Sequence, residues 1–408
     1  MPVGLYLSVP FCRTKCSYCN FASDVFSKTA YENYVARVVE DIGQARETAS
    51  AMECVLDHDA DSIYLGGGTP SILDPEQLVR TFDALRMHFS IAPAAEVTVE
   101  CAPGTLTPAL IDTLLRCGVN RVSLGVQSFV DQEAASVGRL HKRATVLEEI
   151  ARLRQAGLTD INIDLIAGLP HQTAESWTYS LAEVIATGAP HVSVYMLEVD
   201  EDSRLGRELI AGGTRYHAHF VPDDEATADF YSQACDTLDA AGVAQYEISN
   251  FARPDRESRH NLKYWTRQPY FGFGVDAHSM LPAGGPDPRA VRFSTPDSLD
   301  AFMNRAPLEV MPVSEDGALE ESFFLGLRLN RGVDLDRLRA EFGAEKVASC
   351  AGAIEECVGE QLLEKSGETV RLTPRGRLLS NEVFARFLAE KDVSGQKTVG
   401  NRIRVNPR

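Results

Sequence analysis

The sequence predicts an α/β fold, a partial barrel of six βα units followed by a smaller helical domain that carries a β-wing. Over the first half of the chain, six short runs rich in β-branched residues alternate with longer helical patterns, which is typical of a parallel sheet covered by helices. No dinucleotide-binding glycine fingerprint follows the first run, which favours a barrel over a Rossmann sheet. Six units predict an incomplete barrel rather than the full eight.

The strands and helices of these units can be placed by their hydrophobic patterns. We predict strands at residues 4–9, 62–66, 96–101, 121–127, 160–166 and 191–197. We predict helices at residues 31–46, 75–89, 107–118, 144–157 and 173–188.

The rhythm of the chain changes after residue 225, which divides it into four predicted segments. Residues 1–225 form the core barrel, and residues 226–305 extend it with an aromatic-rich stretch, HNLKYW at 260–265, and a Pro/Gly linker. Residues 306–388 form the C-terminal helical domain with its wing, and residues 389–408 form a flexible basic tail.

The predicted wing consists of two short strands around a Ser-Gly-Glu turn within residues 362–376. Wings are common in DNA-binding domains, but the preceding helix carries Glu355, Glu356 and Glu360. The chain also has a formal net charge of −18, which repels phosphate backbones. We therefore expect no nucleic-acid partner.

Composition predicts a cytoplasmic globular protein. The chain has 408 residues, 44% of them hydrophobic, and lacks the run of roughly 18 apolar residues that a membrane span requires. Its first residues lack the basic and apolar regions of a secretory signal. Of nine cysteines, six have no metal-like spacing, which argues against a disulfide framework and for a reducing compartment. These six are Cys54, Cys101, Cys117, Cys235, Cys350 and Cys357.

The other three cysteines, Cys12, Cys16 and Cys19, follow the first predicted strand at a C-x3-C-x2-C spacing. Structural zinc usually has four ligands, and no Cys or His stands near this motif to be the fourth. Three thiolates can instead hold three irons of a [4Fe–4S] cluster and leave the fourth iron open for a small molecule.

Polar residues stand at the ends of the next strands. The sequence GGGTP, residues 66–70, follows the second strand, Glu100 ends the third, Gln127 ends the fourth, and Asp164 lies late in the fifth. Because ligands bind at the carboxyl ends of barrel strands, we expect these residues to surround the same site as the cysteines.

The cysteine spacing, the aromatic Tyr18 before its last Cys and the following GGGTP resemble the radical S-adenosylmethionine (SAM) superfamily. Further motifs resemble the oxygen-independent coproporphyrinogen III oxidase-like family over almost the entire chain. These are Tyr6-x5-Cys12, Gly66-Gly67-Gly68-Thr69-Pro70, Glu100, Gln127-Ser128, Arg139-Leu140, Asp164-Leu165-Ile166-x-Gly168-Leu169-Pro170, HNLKYW and GVDAHS.

This resemblance implies a [4Fe–4S] cluster on Cys12, Cys16 and Cys19, and SAM as a second cofactor. The residues implied to bind SAM or orient it are Tyr6, Tyr18, Gly67, Gly68, Thr69, Glu100, Gln127, Arg139 and Asp164. In this interpretation the two glycines let the backbone approach the ligand, Arg139 pairs with the methionine carboxylate, and Asp164 accepts from ribose hydroxyls.

Each of these positions also has a structural alternative. A triple-glycine turn is often only a tight βα connection, and Glu100, Gln127 and Asp164 taken singly suit helix caps or salt bridges. The basic segment around Arg139 also suits an ordinary helix entry. These residues follow the cysteine motif in the chain, most of them at the ends of successive predicted strands, and this joint arrangement favours the SAM site.

Two departures from the coproporphyrinogen-decarboxylating members favour the haem chaperone branch of the family. Those members have a further cysteine where this chain has Phe21, and they carry a long segment ahead of the strand that holds Tyr6. The resemblance then implies haem as cargo, haem-acceptor proteins and an electron donor as partners, and peripheral contact with a membrane whose proteins are loaded.

Two other function classes stay open at this point. One is an enzyme, an anaerobic coproporphyrinogen III dehydrogenase or another radical SAM enzyme on a porphyrin-like substrate. The other is a binding module in which the cluster is structural. Both the enzyme and the chaperone are expected to cleave SAM reductively. The chaperone is expected not to convert coproporphyrinogen.

The HNLKYW segment is the candidate haem site. His260 would supply an axial imidazole, Tyr264 and Trp265 would cover the porphyrin, and Asn261 would bind a propionate. In the alternative interpretation the segment is structural, with His260 hydrogen-bonded and the aromatic rings in the core. Rival ligands of the haem iron are a cysteine, His278 and the His217-x-His219 pair.

Overall fold

The computed structural model describes residues 1–201, 203–285 and 287–388, and the predicted basic tail at 389–408 lies outside the described residues. The strands are β1 Val3–Val9, β2 Asp59–Gly67, β3 Ser90–Cys101, β4 Arg121–Gln127, β5 Asp160–Ala167, β6 His191–Met196, β7 Ala244–Gln245, β8 Asn250–Ala252, β9 Tyr270–Gly274, β10 His278–Pro282, β11 Ala290–Ser294, β12 Glu309–Val313, β13 Val333–Asp334, β14 Leu363–Ser366 and β15 Thr369–Leu372.

The α-helices cover the same span of the chain. They are α1 Lys28–Gly43, α2 Ala45–Ala51, α3 Pro75–His88, α4 Pro108–Arg116, α5 Asp131–Ser136, α6 Arg143–Gln155, α7 Ala174–Thr187, α8 Arg204–Ala211, α9 Asp224–Ala240, α10 Arg259–Trp265, α11 Leu299–Met303, α12 Glu315–Gly326, α13 Leu335–Phe342, α14 Ala344–Ser349, α15 Ala351–Gly359, α16 Pro374–Leu378 and α17 Ser380–Ala385.

Among the described residues, twelve strands form one sheet in the order β12-β11-β10-β9-β1-β2-β3-β4-β5-β6-β8-β7. Strands β1 to β6 are adjacent and parallel, which confirms the six predicted βα units. The order is linear, with β12 and β7 at opposite edges, so the barrel is partial as predicted. The sequence analysis did not predict strands β7 to β12 of this sheet, of which β9 pairs parallel to β1.

Local capping signals set where the helices of the βα units begin and end. The side chain of Thr107 accepts from the amide of Leu110 at the start of α4, and the side chain of Thr173 accepts from the amide of Ser176 at the start of α7. Helix α7 ends at Gly188, which has φ of 66°, a conformation that glycine adopts without steric cost. These stops return the chain to the sheet, so that strand ends share one edge.

Two hydrophobic cores support the molecule. One packs β1 to β6 against the helices of the βα units, and the other fills the C-terminal helices and includes Tyr264, Trp265 and Tyr270 from α10 and β9. Because α10 contributes to the second core, the HNLKYW segment joins the extension of the barrel to the C-terminal domain.

The C-terminal domain carries the predicted wing. Strands β14 and β15 form an antiparallel hairpin turned at Gly367, and β13 pairs with β15 to complete a three-stranded sheet. Strand β12, which begins the predicted segment 306–388, pairs with β11 and so belongs to the large sheet.

Candidate functional site

The loop that carries the three cysteines follows β1 directly and is fixed at several points. The amide of Cys12 donates to the carbonyl of Asp24 at 3.0 Å, which draws the two ends of the loop together. In the middle of the loop, the amide of Ser17 donates to the carbonyl of Val137, and the carbonyl of Ser17 accepts from the amide of Leu205 in α8. The loop is therefore held between the end of α5 and the start of α8.

The three thiols line one cavity at the carboxyl ends of the strands, with an empty volume of about 520 Å³. The structure brings most of the predicted SAM residues to the same cavity. These are Tyr18, Gly67, Gly68, Thr69, Glu100, Arg139 and Asp164.

Hydrogen-bond donors face two of the sulfur atoms. Oγ1 of Thr69 donates to Sγ of Cys12 at 3.8 Å, and Nη1 of Arg139 donates to Sγ of Cys16 at 3.5 Å. Burial raises the pKa of the Cys12 thiol, the hydrogen bond from Thr69 lowers it, and the nearby Cys19 and Cys16 raise it further. Since iron binds thiolates, metal binding here releases protons.

The arrangement fits a cluster better than a single ion. In the described part of the chain, no three Cys, His, Asp or Glu side chains converge on one point as metal ligands, whereas zinc takes its ligands at about 2.0–2.3 Å. A [4Fe–4S] cluster takes one thiolate for each iron, so sulfur atoms spread around one cavity suit it. Cys12, Cys16 and Cys19 therefore fit such a cluster with one iron left without a thiolate.

Gly67 and Gly68 line the cavity, but a side chain on either residue would point toward β1 and the cysteine loop. A Cβ atom on Gly68 would stand 2.7 Å from the carbonyl oxygens of both Val9 and Phe11, and one on Gly67 would stand 2.9 Å from Oγ of Ser8. The amide of Gly68 also donates to the carbonyl of Val9 at 2.8 Å. The glycines are thus required for close packing against β1 and the cysteine loop, and they also line the cavity, so their role in the approach to the ligand stays a prediction.

Buried polar groups fix the two carboxylates at the cavity wall. The hydroxyl of Tyr64 donates to Oε1 of Glu100 at 3.0 Å. Nδ2 of Asn162 donates to Oδ1 of Asp164 at 2.8 Å, and the hydroxyl of Ser123 donates to its Oδ2 at 3.3 Å. Both carboxylates are therefore held as acceptors, the role that a ribose or an ammonium group needs.

Two predicted SAM residues and one predicted contact are placed differently. Gln127 is buried with φ of 70° and does not line the cavity, and Tyr6 lines a neighbouring cavity instead. The guanidinium group of Arg139, expected at the methionine carboxylate, donates to the carbonyl of Gly125 as well as to Cys16. Arg139 is thus part of the thiol environment in this structure.

The neighbouring cavity connects the predicted SAM and haem residues. It has an empty volume of about 290 Å³ and shares Gly67 and Glu100 with the larger cavity. Its other lining residues are Tyr6, Phe21, Tyr64, Asn261 and Tyr264. The HNLKYW segment, about 240 residues along the chain from the cysteines, therefore reaches the same edge of the barrel.

His260 is placed as in the structural alternative. Its side chain is fully buried, with Nδ1 hydrogen-bonded to Oγ of Ser62 at 2.9 Å and Nε2 to the hydroxyl of Tyr264 at 2.8 Å. Burial, together with a smaller effect of the nearby Lys263, lowers the pKa of His260 to about 3. Because both ring nitrogens are engaged, the arrangement does not offer His260 as an axial ligand.

Trp265 is also part of the core rather than of a haem face. It is 2% exposed, and Cζ of Arg328 lies 4.2 Å from the centroid of its ring. Of the four predicted haem residues, Asn261 and Tyr264 line the cavity next to the predicted SAM residues.

Sequence reasoning missed several residues of the larger cavity, among them Lys15, Ser23, Cys101 and Gly125. Cys101 follows Glu100 and Gly125 precedes Gln127 by two residues, so their positions at strand ends were the available signal. Burial strongly raises the pKa of Cys101.

The described part of the chain contains no helix long and apolar enough to cross a membrane. A family model for the Radical SAM superfamily matches residues 6–183, and one for the HemN C-terminal domain matches residues 313–379.

Similarity to known proteins extends over nearly the whole chain. The chain is 33% identical to "Heme chaperone HemW" of Bacillus subtilis over 94% of this chain and 99% of that protein, and 31% identical to the Escherichia coli protein of the same name over 95% and 99%. Among solved structures, coproporphyrinogen III oxidase (HemN) from Escherichia coli matches with a TM-score of 0.80 at 22% identity, covering 95% of this chain and 90% of that one, which supports the fold. The chain belongs to the HemW family within the radical SAM superfamily.

Proposed function

We propose that this protein is a haem chaperone that binds haem and delivers it to haem-dependent acceptor proteins, with a [4Fe–4S] cluster, SAM and a protein electron donor taking part. Its near full-length similarity to proteins named as haem chaperones supports this cargo. All nine cysteines lie in the described residues and are unpaired, which supports a reducing cytoplasmic setting.

The residues of the larger cavity have separate roles in this proposal. Cys12, Cys16 and Cys19 hold the cluster, while the carboxylates of Glu100 and Asp164 accept hydrogen bonds from SAM. The chemistry that such a cluster supplies when bound is one-electron reduction of SAM.

Similarity to known proteins carries the choice of chaperone over dehydrogenase. The chain is 33% identical to a protein named as a haem chaperone over 94% of its length, and 22% identical to the solved coproporphyrinogen III oxidase. In the resemblance described above, Phe21 stands where the decarboxylating members have a cysteine, and in this structure it lines the cavity of about 290 Å³ beside the predicted SAM residues.

The test is anaerobic reconstitution of the cluster, followed by titration with haemin and by mixing with an apo b-type cytochrome. We expect stable haem uptake, transfer to the apo-cytochrome, and no conversion of coproporphyrinogen. The matched control is Cys16→Ala, which should bind haem but fail to transfer it. Conversion of coproporphyrinogen to protoporphyrinogen by the native protein would establish the dehydrogenase instead.

A further inference from the structure

Haem iron is commonly held by an imidazole nitrogen, and the structure narrows the candidates among the nine histidines of the chain. His141, His191 and His260 are buried, and each is hydrogen-bonded to other groups of the protein. Both ring nitrogens of His191 and of His260 are engaged. These three are structural, so a histidine ligand has to come from the less buried histidines, which suit imidazole ligation better.

Two of those histidines, His171 and His217, form a direct pair that the sequence did not predict. Nε2 of His171 lies 3.2 Å from Nδ1 of His217, although the residues are 46 positions apart. The ring of His171 stacks on Phe220 with centroids 4.1 Å apart, and its amide donates to the carbonyl of Phe220 at 2.9 Å. The pair is therefore held in a defined orientation.

The geometry of this pair suits metal binding. When Nδ1–H of His217 donates to Nε2 of His171, Nε2 of His217 is left with its lone pair. A ring N–H bound in this way is what usually orients a metal-ligating histidine.

The pair also lies close to the cysteine loop. His171 follows the end of β5, and Leu169, two residues earlier, packs with Tyr18 of that loop. The other histidine belongs to the segment after α8, which Glu208 fixes by accepting from the amide of Ala218 at 3.1 Å. Since α8 is hydrogen-bonded to Ser17, both histidines are tied to the loop that would hold the cluster.

The segment that carries His217 has exposed apolar side chains and an exposed cation, which suit the apolar ring and the propionates of haem. Phe220 is 56% exposed, and Leu209 and Ile210 on α8 are 50% and 68% exposed, so the segment offers apolar side chains to an apolar ligand. Arg215, exposed two residues before His217, supplies a cation for a propionate.

We propose that Nε2 of His217 is the protein ligand of the haem iron, with His171 as the positioning residue that accepts from its Nδ1–H and Phe220 as an apolar contact. This inference rests on the proposed function, since it assigns the site of the same cargo. It places the cargo beside the cysteine loop and outside the cavity that SAM occupies.

The test is a haemin titration of the native protein and of His217→Gly, read at the Soret band. His217 has φ of 62°, which glycine tolerates, so the variant should fold normally. We expect His217→Gly to lose the histidine-ligated spectrum and to weaken haem binding by more than about tenfold. Added imidazole should fill the space and restore the spectrum.

Two further variants separate ligation from a structural role. His219→Ala, a change two residues away on the same exposed segment, should bind haem normally. His171→Ala should weaken haem binding by about tenfold, and His171→Gln, which keeps an acceptor for Nδ1–H, should recover most of it.

The outcomes distinguish this inference from the proposed function. If the native protein binds haem and His217→Gly keeps the same Soret band and affinity, the ligand lies elsewhere and only the assignment of His217 is wrong. If the native protein binds no haem, both the chaperone proposal and this site are wrong.

Discussion

Nη1 of Arg139 lies 3.5 Å from Sγ of Cys16, so a cation from the segment after α5 contacts one of the three thiols. A positive charge beside a thiolate stabilises the deprotonated sulfur. Arg139 also lines the cavity of the predicted SAM residues, which places it between the cluster ligands and the second cofactor.

Replacement of Arg139 by Gln should weaken SAM binding. Hydrogen bonds to charged groups contribute about 1.5–3 kcal/mol, which corresponds to roughly 10–100-fold in the dissociation constant. Equilibrium binding of SAM to the reconstituted protein measures this. Arg143→Gln is the matched control, because Arg143 pairs with Glu183 outside the cavity. Equal affinities in the two variants would contradict the role of Arg139.

Removal of any cluster thiol should strip the iron. Cys12→Ala, Cys16→Ala and Cys19→Ala should each lose most iron after anaerobic reconstitution, since every thiolate holds one iron. Iron and sulfide content should be unchanged in Cys54→Ala and Cys235→Ala. A full complement of iron in Cys16→Ala would mean that the cluster is bound by other residues.

Substitution of Gly68 should damage the cysteine loop as well as the SAM site. In Gly68→Ala the new Cβ would stand 2.7 Å from two backbone oxygens that cannot move independently of the loop. We expect lower iron content and lower SAM affinity together. Gly352→Ala, where no atom lies within 4 Å of the new Cβ, should leave both unchanged. Loss of SAM binding with full iron content in Gly68→Ala would show that Gly68 serves the approach of SAM and not the packing of the cysteine loop.

Replacement of Phe21 by Cys should not create a dehydrogenase. The substrate carboxylates have to be positioned beside bound SAM, and Phe21 is one of seven residues that line the cavity, so changing it alone does not position a substrate. We expect no protoporphyrinogen from native or Phe21→Cys protein under anaerobic reducing conditions, and unchanged haem binding in both. Turnover in Phe21→Cys alone would show that this single side chain blocks the substrate.

Acidification should destabilise the fold through His260. Its pKa of about 3 in the folded protein lies below the ordinary value of 6.5, so the unfolded chain takes up the proton first. The stabilisation is present above pH 6.5 and is lost as pH falls toward 3, by about 2 kcal/mol at about pH 5. Denaturant unfolding at about pH 7.5 and about pH 5 measures it. His260→Gln should lose less free energy of unfolding over this interval, and an identical loss in both proteins would contradict the assignment.

The sequence by itself determined the βα rhythm, the three-thiol motif and most of the wall of the larger cavity. Strand periodicity is a local property, and parallel strands bring their carboxyl ends to one edge, so Glu100 and Asp164 could be assigned to the site of Cys12 without coordinates. The spacing of the cysteines is equally local, because a single loop carries all of them.

The tertiary structure alone decided which side chains are engaged and which are available. In the sequence, His260 appeared available as a ligand. Its hydrogen-bond partner Ser62 lies 198 positions away, so only the folded structure shows that the imidazole is already engaged. Whether a side chain fits at Gly67 or Gly68 depends on the neighbouring strand β1. The pairing of His171 with His217 depends on two loops that meet only in the folded protein. Burial and long-range hydrogen bonds set these roles, and neither leaves a periodic pattern in the sequence.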